Sequence, residues 1–173
     1  DITAAESGVP SLRIAASHTD WPCLMVKPSP ELTCGSYAKL NVSVYGGPIL
    51  NTWLDRPLSM AGKVCLRSPD PFQPEVLLVD FARPLLAVLD ETLNKDSFFL
   101  DLLAEETGCS KDDILDYQFY IYNCDTPCRL GIHGEMLSSP RLDNLTSVHA
   151  CLSGIMNSRR EHGISAAVLY DNE

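Results

Sequence analysis

Two short apolar runs near the ends of the chain constrain its fold more than any other feature of the sequence. Residues 12–17 (LRIAAS) and 166–170 (AAVLY) lack the strict alternation of apolar and polar residues that a half-exposed strand shows. Apolar runs without alternation suit a parallel sheet that is covered on both faces. The ends of the chain are therefore predicted to be pieces of one α/β unit.

The middle of the chain has a different pattern. Residues 39–45 (KLNVSVY) alternate strictly, with Leu40, Val42 and Val44 on one face, as in a half-buried strand. Further strands are predicted at 63–67, 76–81 and 117–122. One helix is predicted to start after Asp96 or Ser97 and to end at Gly108, and a shorter one follows, with Ser110 as its cap and Asp113 as the capping-box partner.

A long helix is predicted after Pro140, because apolar residues recur there at helical spacing until Gly163 provides a stop. These apolar residues are Leu142, Leu145, Val148, Leu152, Ile155 and Met156. The fold class is therefore α/β, with its parts interrupted by a β-rich, barrel-like or sandwich-like domain that carries one or two helices.

The charge of the chain excludes several classes of function. The net charge is −10 and the pI is about 4.7, whereas a nucleic-acid-binding domain needs a basic face to displace counterions from phosphate. The same negative charge disfavours binding to an anionic membrane surface. No stretch approaches the roughly twenty apolar residues of a membrane span. No nucleic-acid or membrane partner is expected.

Cysteine usage favours a reducing compartment. The seven cysteines are odd in number and scattered along the chain, unlike the dense, even spacing of a secreted disulfide framework. Cys124 and Cys128 form the one close pair, and no second pair or nearby histidine completes a zinc knuckle around them. A cytoplasmic location is therefore predicted. The chain begins without Met, which suggests a fragment or a processed product.

Polar residues follow the predicted buried strands and open the long helix. His18 and Asp20 suit a metal ligand with an orienting carboxylate, but a surface histidine explains them as well. Asp143 suits a ligand, or a helix-start carboxylate that faces the helix dipole. Residues 171–173 close the last predicted strand and by themselves are only a polar strand end. Together they resemble the inventory of a two-metal hydrolase, which needs imidazole, a bridging carboxylate and a base.

Several longer segments resemble the M18 family of metalloaminopeptidases, the group that includes aspartyl aminopeptidases, and they occur in the same order as in that family. The segments are HTDWPCLMVKPSP at 18–30, VYGGPILNTWLDRPLSMAGKV at 44–64, LLVDFARPLL at 77–86, ILDYQFYIYNCDTP at 114–127, SSPRLDNLTSVHA at 138–150 and VLYDNE at 168–173. The resemblance covers nearly the whole chain.

The resemblance implies roles for four residues. His18 would be a ligand of one zinc ion, with Asp20 orienting it, and Asp143 would bridge two zinc ions. Glu173 would be the general base. The implied reaction is the removal of N-terminal, often acidic, residues from peptides by metal-activated water.

The resemblance also implies a domain division and a partner. Residues 1–20 and 139–173 would be pieces of the catalytic domain, and 21–138 would be a dimerisation domain that forms a homodimer able to build a larger homo-oligomer. The remaining metal ligands of the family lie beyond the position of Glu173, and relatives carry a longer stretch, containing a histidine, where this chain has residues 86–94. The chain alone is therefore expected to be inactive, and a non-catalytic oligomerisation module is the alternative interpretation.

Overall fold

A computed structural model describes residues 11–83, 94–159 and 163–171. The strands in these ranges are β1 (Leu12–His18), β2 (Cys23–Cys34), β3 (Tyr37–Tyr45), β4 (Leu58–Leu66), β5 (Glu75–Asp80), β6 (Ile114–Asn123), β7 (Cys128–Leu130), β8 (Met136–Ser138) and β9 (Ile164–Tyr170). The helices are α1 (Phe98–Thr107) and α2 (Leu142–Asn157). No helix in the described ranges has the length and apolar content that crossing a bilayer requires.

The chain divides into two compact units. One unit is built from residues 1–21 and 127–173, and the other from residues 22–126. Trp21 and residues 127–138, which were predicted from the sequence to belong to the middle domain, cluster with the first unit. The assignment of catalytic and dimerisation roles to these parts of the chain stays a prediction.

The first unit contains the predicted parallel pair of strands. β1 pairs with β9 in parallel, with Leu12 opposite Ile164 and His18 opposite Tyr170. Helix α2 packs against both strands, and β7 pairs with β8 in a small antiparallel hairpin. The mixed α/β class predicted from the end segments is confirmed.

The second unit is a five-stranded sheet in the order β3-β2-β6-β4-β5, with every neighbouring pair antiparallel. Its core forms where α1 lies over one face of this sheet. Phe99 of α1 and Phe119 of β6 are both fully buried, and their rings meet edge to face with centroids 5.8 Å apart. Aromatic pairs in this geometry stabilise a core beyond the apolar area that they bury.

The ends of α1 follow the predicted signals. Ser97 occupies the N-cap position but makes no side-chain capping hydrogen bond, and its hydroxyl donates instead to the Asp101 carboxylate. Gly108 ends the helix in the left-handed conformation with φ of +69°. The second, shorter helix is a single 3-10 turn at Lys111–Asp113. Its first turn is capped by Ser110, whose hydroxyl accepts from the backbone N–H of Asp112.

Several elements differ from the prediction. The short strands β7 and β8 were not predicted. Strand β2 was not predicted, because Pro28 and Pro30 lie inside it and proline cannot donate to a ladder. The structure accommodates them where the β2–β3 register shifts, between Val26 and Glu31. The expected stop of the long helix at Gly163 is wrong, since α2 ends at Asn157.

Gly62 in β4 provides a test of the packing in the second unit. A Cβ at this position would lie 2.1 Å from the backbone oxygen of Gln118 and 2.8 Å from Cα of Phe119. Because these are backbone atoms of the neighbouring strand, we expect Gly62→Ala to lower the free energy of unfolding by about 3 kcal/mol. Gly47→Ala, where nothing lies within 4 Å of the added Cβ, is the matched control. Urea denaturation that gives equal midpoints for the two variants would contradict this packing.

Candidate metal centre

The carboxyl ends of β1 and β9 lie side by side, which is where open α/β sheets place their functional sites. His18 is the last residue of β1 and faces Tyr170, the last residue of β9. The backbone N–H and the hydroxyl of Thr19 both donate to the carbonyl oxygen of Tyr170, at 2.7 and 2.9 Å. These two bonds hold the segment that follows β1 against the end of β9.

Asp20 determines which nitrogen of His18 carries the hydrogen. Nδ1 of His18 lies 2.9 Å from the carboxylate oxygen Oδ1 of Asp20 and 3.2 Å from the backbone oxygen of the same residue. Since a carbonyl oxygen can only accept, Nδ1 must be the donor, and the lone pair of the neutral ring is then on Nε2. The Asp20 side chain is only 5% exposed, so this contact is shielded from water. A histidine held in this way by a carboxylate is typical of metal sites.

Asp143 lies on the other side of the His18 ring. Its Oδ1 is 3.4 Å from Nε2 of His18, and its side chain is 91% exposed whereas that of His18 is 14% exposed. Asp143 has an extended backbone, with φ of −87° and ψ of 113°, and a cis peptide bond joins it to Asn144. Although it falls within the bounds of α2, Asp143 is not in helical conformation. Its carboxylate therefore projects from an irregular segment that precedes the regular turns of the helix.

The separation of the two side chains fits a shared zinc ion. Nitrogen and oxygen ligands at about 2.0–2.1 Å from a tetrahedral zinc lie about 3.3–3.4 Å from one another. The observed distance between Nε2 and Oδ1 is 3.4 Å. In the ranges that the structure describes, no group of three or more histidine, cysteine or acidic side chains forms a metal site. The described residues thus provide one pair of suitable ligand atoms together with the carboxylate that orients the imidazole.

The structure brings together three of the four site residues singled out from the sequence. His18 and Asp143 are 125 positions apart in the sequence, and their side chains lie 3.4 Å apart, as ligands of a shared ion must lie close together. Asp20 contacts His18 as expected. The metal-binding and catalytic roles of these residues stay predictions. Glu173 lies outside the described residues.

Other residues that shape this region were not predicted from the sequence. Ser17 is buried, and its hydroxyl donates to the backbone oxygen of Asn144 at 3.5 Å. The guanidinium carbon of Arg141 lies 4.4 Å from the centre of the Trp21 ring. Each of these residues is within two positions of a predicted site residue, and this adjacency was the signal that could have found them.

Comparison with known proteins decides the family. The model of the family described as "Aminopeptidase I zinc metalloprotease (M18)" matches residues 4–96 and 90–173. The chain belongs to the M18 aminopeptidase family. The resemblance inferred from the sequence motifs is confirmed, and the matched family is one of zinc metalloproteases.

Individual relatives agree with this assignment. A probable M18 family aminopeptidase 2 of Clostridium acetobutylicum is 33% identical over 191 residues, which cover 93% of this chain and 44% of the relative. Ape4, in a cryo-EM structure of its complex with Nbr1, shares 25% identity with a TM-score of 0.76 over 94% of this chain and 40% of its own. The mApe1 dodecamer of S. cerevisiae has the same fold, with 21% identity, a TM-score of 0.73, and coverage of 94% of this chain and 44% of its own.

The M18 chain is shorter than the relatives that it matches. The chain spans less than half of the length of the relatives described above. The alignment with the Clostridium relative runs over 191 residues, more than the 173 of this chain. That relative therefore carries residues without a counterpart here. The family model matches this chain in two segments, which overlap at residues 90–96.

The tautomer of His18 can be tested without a metal. At an alkaline pH where the imidazole is neutral, we expect the hydrogen on Nδ1, because both Asp20 oxygens are acceptors. Nitrogen-detected NMR of the imidazole should then show an unprotonated Nε2. His133, which is exposed, is the internal reference, and it should show the mixture of tautomers of a solvated ring. A His18 spectrum with the hydrogen on Nε2 would contradict the geometry described above.

Proposed function

We propose that this chain is part of a two-zinc aminopeptidase that removes acidic N-terminal residues from peptides. The observation that carries the proposal is the 3.4 Å separation of Nε2 of His18 and Oδ1 of Asp143, in a chain that belongs to a family described as zinc metalloproteases. His18 would be a ligand of one ion, and Asp143 would bridge both. Glu173 would act as the general base.

Each residue has a chemical task in this proposal. Asp20 keeps the hydrogen of His18 on Nδ1 and raises the basicity of Nε2. Asp143 has an exposed carboxylate, so both of its oxygens are accessible and one can serve each ion. Bound zinc would supply Lewis acidity, which polarises the scissile carbonyl and lowers the pKa of water. Glu173 would accept the proton of that water and pass it to the departing amine.

The surface of the first unit supports its being part of a larger domain. Parallel sheets are normally covered on both faces, yet Leu12 and Ile14 of β1 are more than half exposed, and Met156 of α2 is 81% exposed. With one pair of ligand atoms in the described ranges, the 173-residue chain by itself should neither bind two zinc ions tightly nor cleave peptides. The remaining ligands would come from the part of the aminopeptidase that this chain does not span.

The proposal extends to assembly and location. We propose that the second unit forms a homodimer that builds a larger homo-oligomer. The S. cerevisiae structure with this fold is a dodecamer, and Leu78 on the edge strand β5 is 85% exposed. Exposed apolar side chains on an edge strand can be covered by another chain. A cytoplasmic location is proposed because none of the seven cysteines, all within the described ranges, forms a disulfide.

Substitution of the base separates catalysis from binding. In the complete enzyme, Glu173→Gln should lower kcat by about 10²–10⁴-fold, since an amide cannot accept the proton of water. Its zinc content should stay that of the wild type, because Glu173 is proposed as a base and not as a ligand. Hydrolysis of an aspartyl peptide and zinc analysis of the same sample provide both measurements. Normal turnover by this variant would remove Glu173 from the mechanism.

Substitution of the bridging carboxylate should impair zinc binding, which substitution of the base should leave unchanged. Asp143→Asn should weaken the binding of both zinc ions, because one carboxylate neutralises two cations at once. Asp112→Asn, an exposed aspartate in the 3-10 turn of the other unit, is the matched control and should bind zinc as the wild type does. The zinc affinity of each variant of the complete enzyme is measured by calorimetric titration. Equal zinc affinities for the two variants would contradict the bridging role of Asp143.

A non-catalytic oligomerisation module is the second candidate, and the incomplete ligand set among the described residues favours it. The two candidates agree on assembly and differ on chemistry. Analytical ultracentrifugation of the chain should show a dimer in either case. Only the first candidate requires that the complete protein bind two zinc ions and cleave aspartyl or glutamyl peptides. Cleavage by the 173-residue chain alone would contradict both candidates.

A further inference from the structure

Two residues that flank the candidate metal centre stack on each other. The guanidinium carbon of Arg141 lies 4.4 Å from the centre of the Trp21 ring, well within the roughly 6 Å over which a cation and an aromatic face attract. Trp21 directly follows Asp20, and Arg141 precedes Asp143 by two positions. The stack therefore joins the segment that carries His18 and Asp20 to the segment that carries Asp143.

The backbone of Arg141 indicates that this contact shapes the segment. Arg141 has φ of +68° and ψ of 14°, a left-handed conformation that residues other than glycine adopt at a conformational cost. Attraction between the guanidinium and the Trp21 ring offsets part of that cost. In this conformation the chain turns immediately before Asp143, and the carboxylate then lies beside the His18 ring.

Few other described contacts restrain the position of Asp143. Its side chain is almost fully exposed. The hydrogen bond from Ser17 to the backbone oxygen of Asn144 is 3.5 Å long, beyond the range of strong hydrogen bonds. A carboxylate on such a segment needs a further restraint if it is to stay at ligand distance from an imidazole, since a displacement of 1 Å spoils coordination geometry.

We propose that Trp21 and Arg141 form a clamp that sets the distance between His18 and Asp143, so that both are positioning residues of the zinc site. The clamp rests on the proposed function, because it matters for chemistry only if the pair holds zinc. The contact itself is independent of any metal and can be tested separately.

The first experiment tests the contact through the fluorescence of Trp21. In a Trp53→Phe background, Trp21 is the one remaining tryptophan of the chain. Arg141→Ala should shift the emission maximum and change the intensity of Trp21, because it removes the cation from the ring. Arg13→Ala, an exposed arginine on β1 of the same unit, is the matched control and should leave the spectrum unchanged. Identical spectra for the two variants would overturn the clamp.

The second experiment tests the effect of the clamp on zinc. In the complete protein, Trp21→Ala and Arg141→Ala should each weaken zinc affinity about two- to fivefold. The double variant should lose less affinity than the sum of the two single losses, because both substitutions remove the same contact. Trp21→Phe and Arg141→Lys retain a ring and a cation, and they should restore most of the affinity. Equal zinc affinity in the wild type and both alanine variants would overturn the clamp.

The two experiments separate failure of the clamp from failure of the proposed function. A wild-type protein that binds no zinc, but whose Trp21 fluorescence responds to Arg141→Ala, would retain the contact and refute the zinc enzyme. Arg141→Ala with unchanged zinc affinity and a raised KM for acidic peptides alone would show that Arg141 contacts substrate. That outcome would also overturn its role as a positioning residue.

Discussion

The parallel register of β1 and β9 is the constraint on which the candidate metal centre depends. Because His18 pairs with Tyr170 across the two strands, the ends of both strands lie at the same edge of the sheet. The double hydrogen bond from Thr19 to Tyr170 continues this pairing for one residue beyond the ladder. A shift of the register by one residue would exchange the faces on which the side chains lie, and His18 would no longer face Asp143.

The two aspartates that contact His18 have different surroundings and are suited to different tasks. Asp20 is buried and lies against Nδ1, so it can fix the tautomer without competing for an exogenous ligand. Asp143 is exposed and lies against Nε2, so it can share a cation with the imidazole. The difference arises from position in the fold. Asp20 follows a strand whose end is covered, whereas Asp143 belongs to a surface segment that precedes the regular turns of α2.

The second unit has its own core. Phe99 and Phe119 form its centre, and the close approach of β4 to β6 at Gly62 leaves no room for a side chain there. Most of its strands could be predicted, because apolar residues that alternate with polar ones indicate a strand with one buried face. β2 was missed because prolines obscure its pattern, and only pairing with β3 and β6 identifies it as a strand.

Local patterns sufficed for much of this M18 chain. The end segments were predicted to be parallel strands, and α1 could be bounded by Ser97 and Gly108. His18, Asp20 and Asp143 could be chosen because the segments around them resemble the M18 family. These properties depend on a residue and its near neighbours. The contact of His18 with Asp143 and the stacking of Arg141 on Trp21 join residues more than one hundred positions apart. These distances are set by the packing of β1, β9 and α2 against one another. The pattern of residues within any one segment does not determine how separate segments pack.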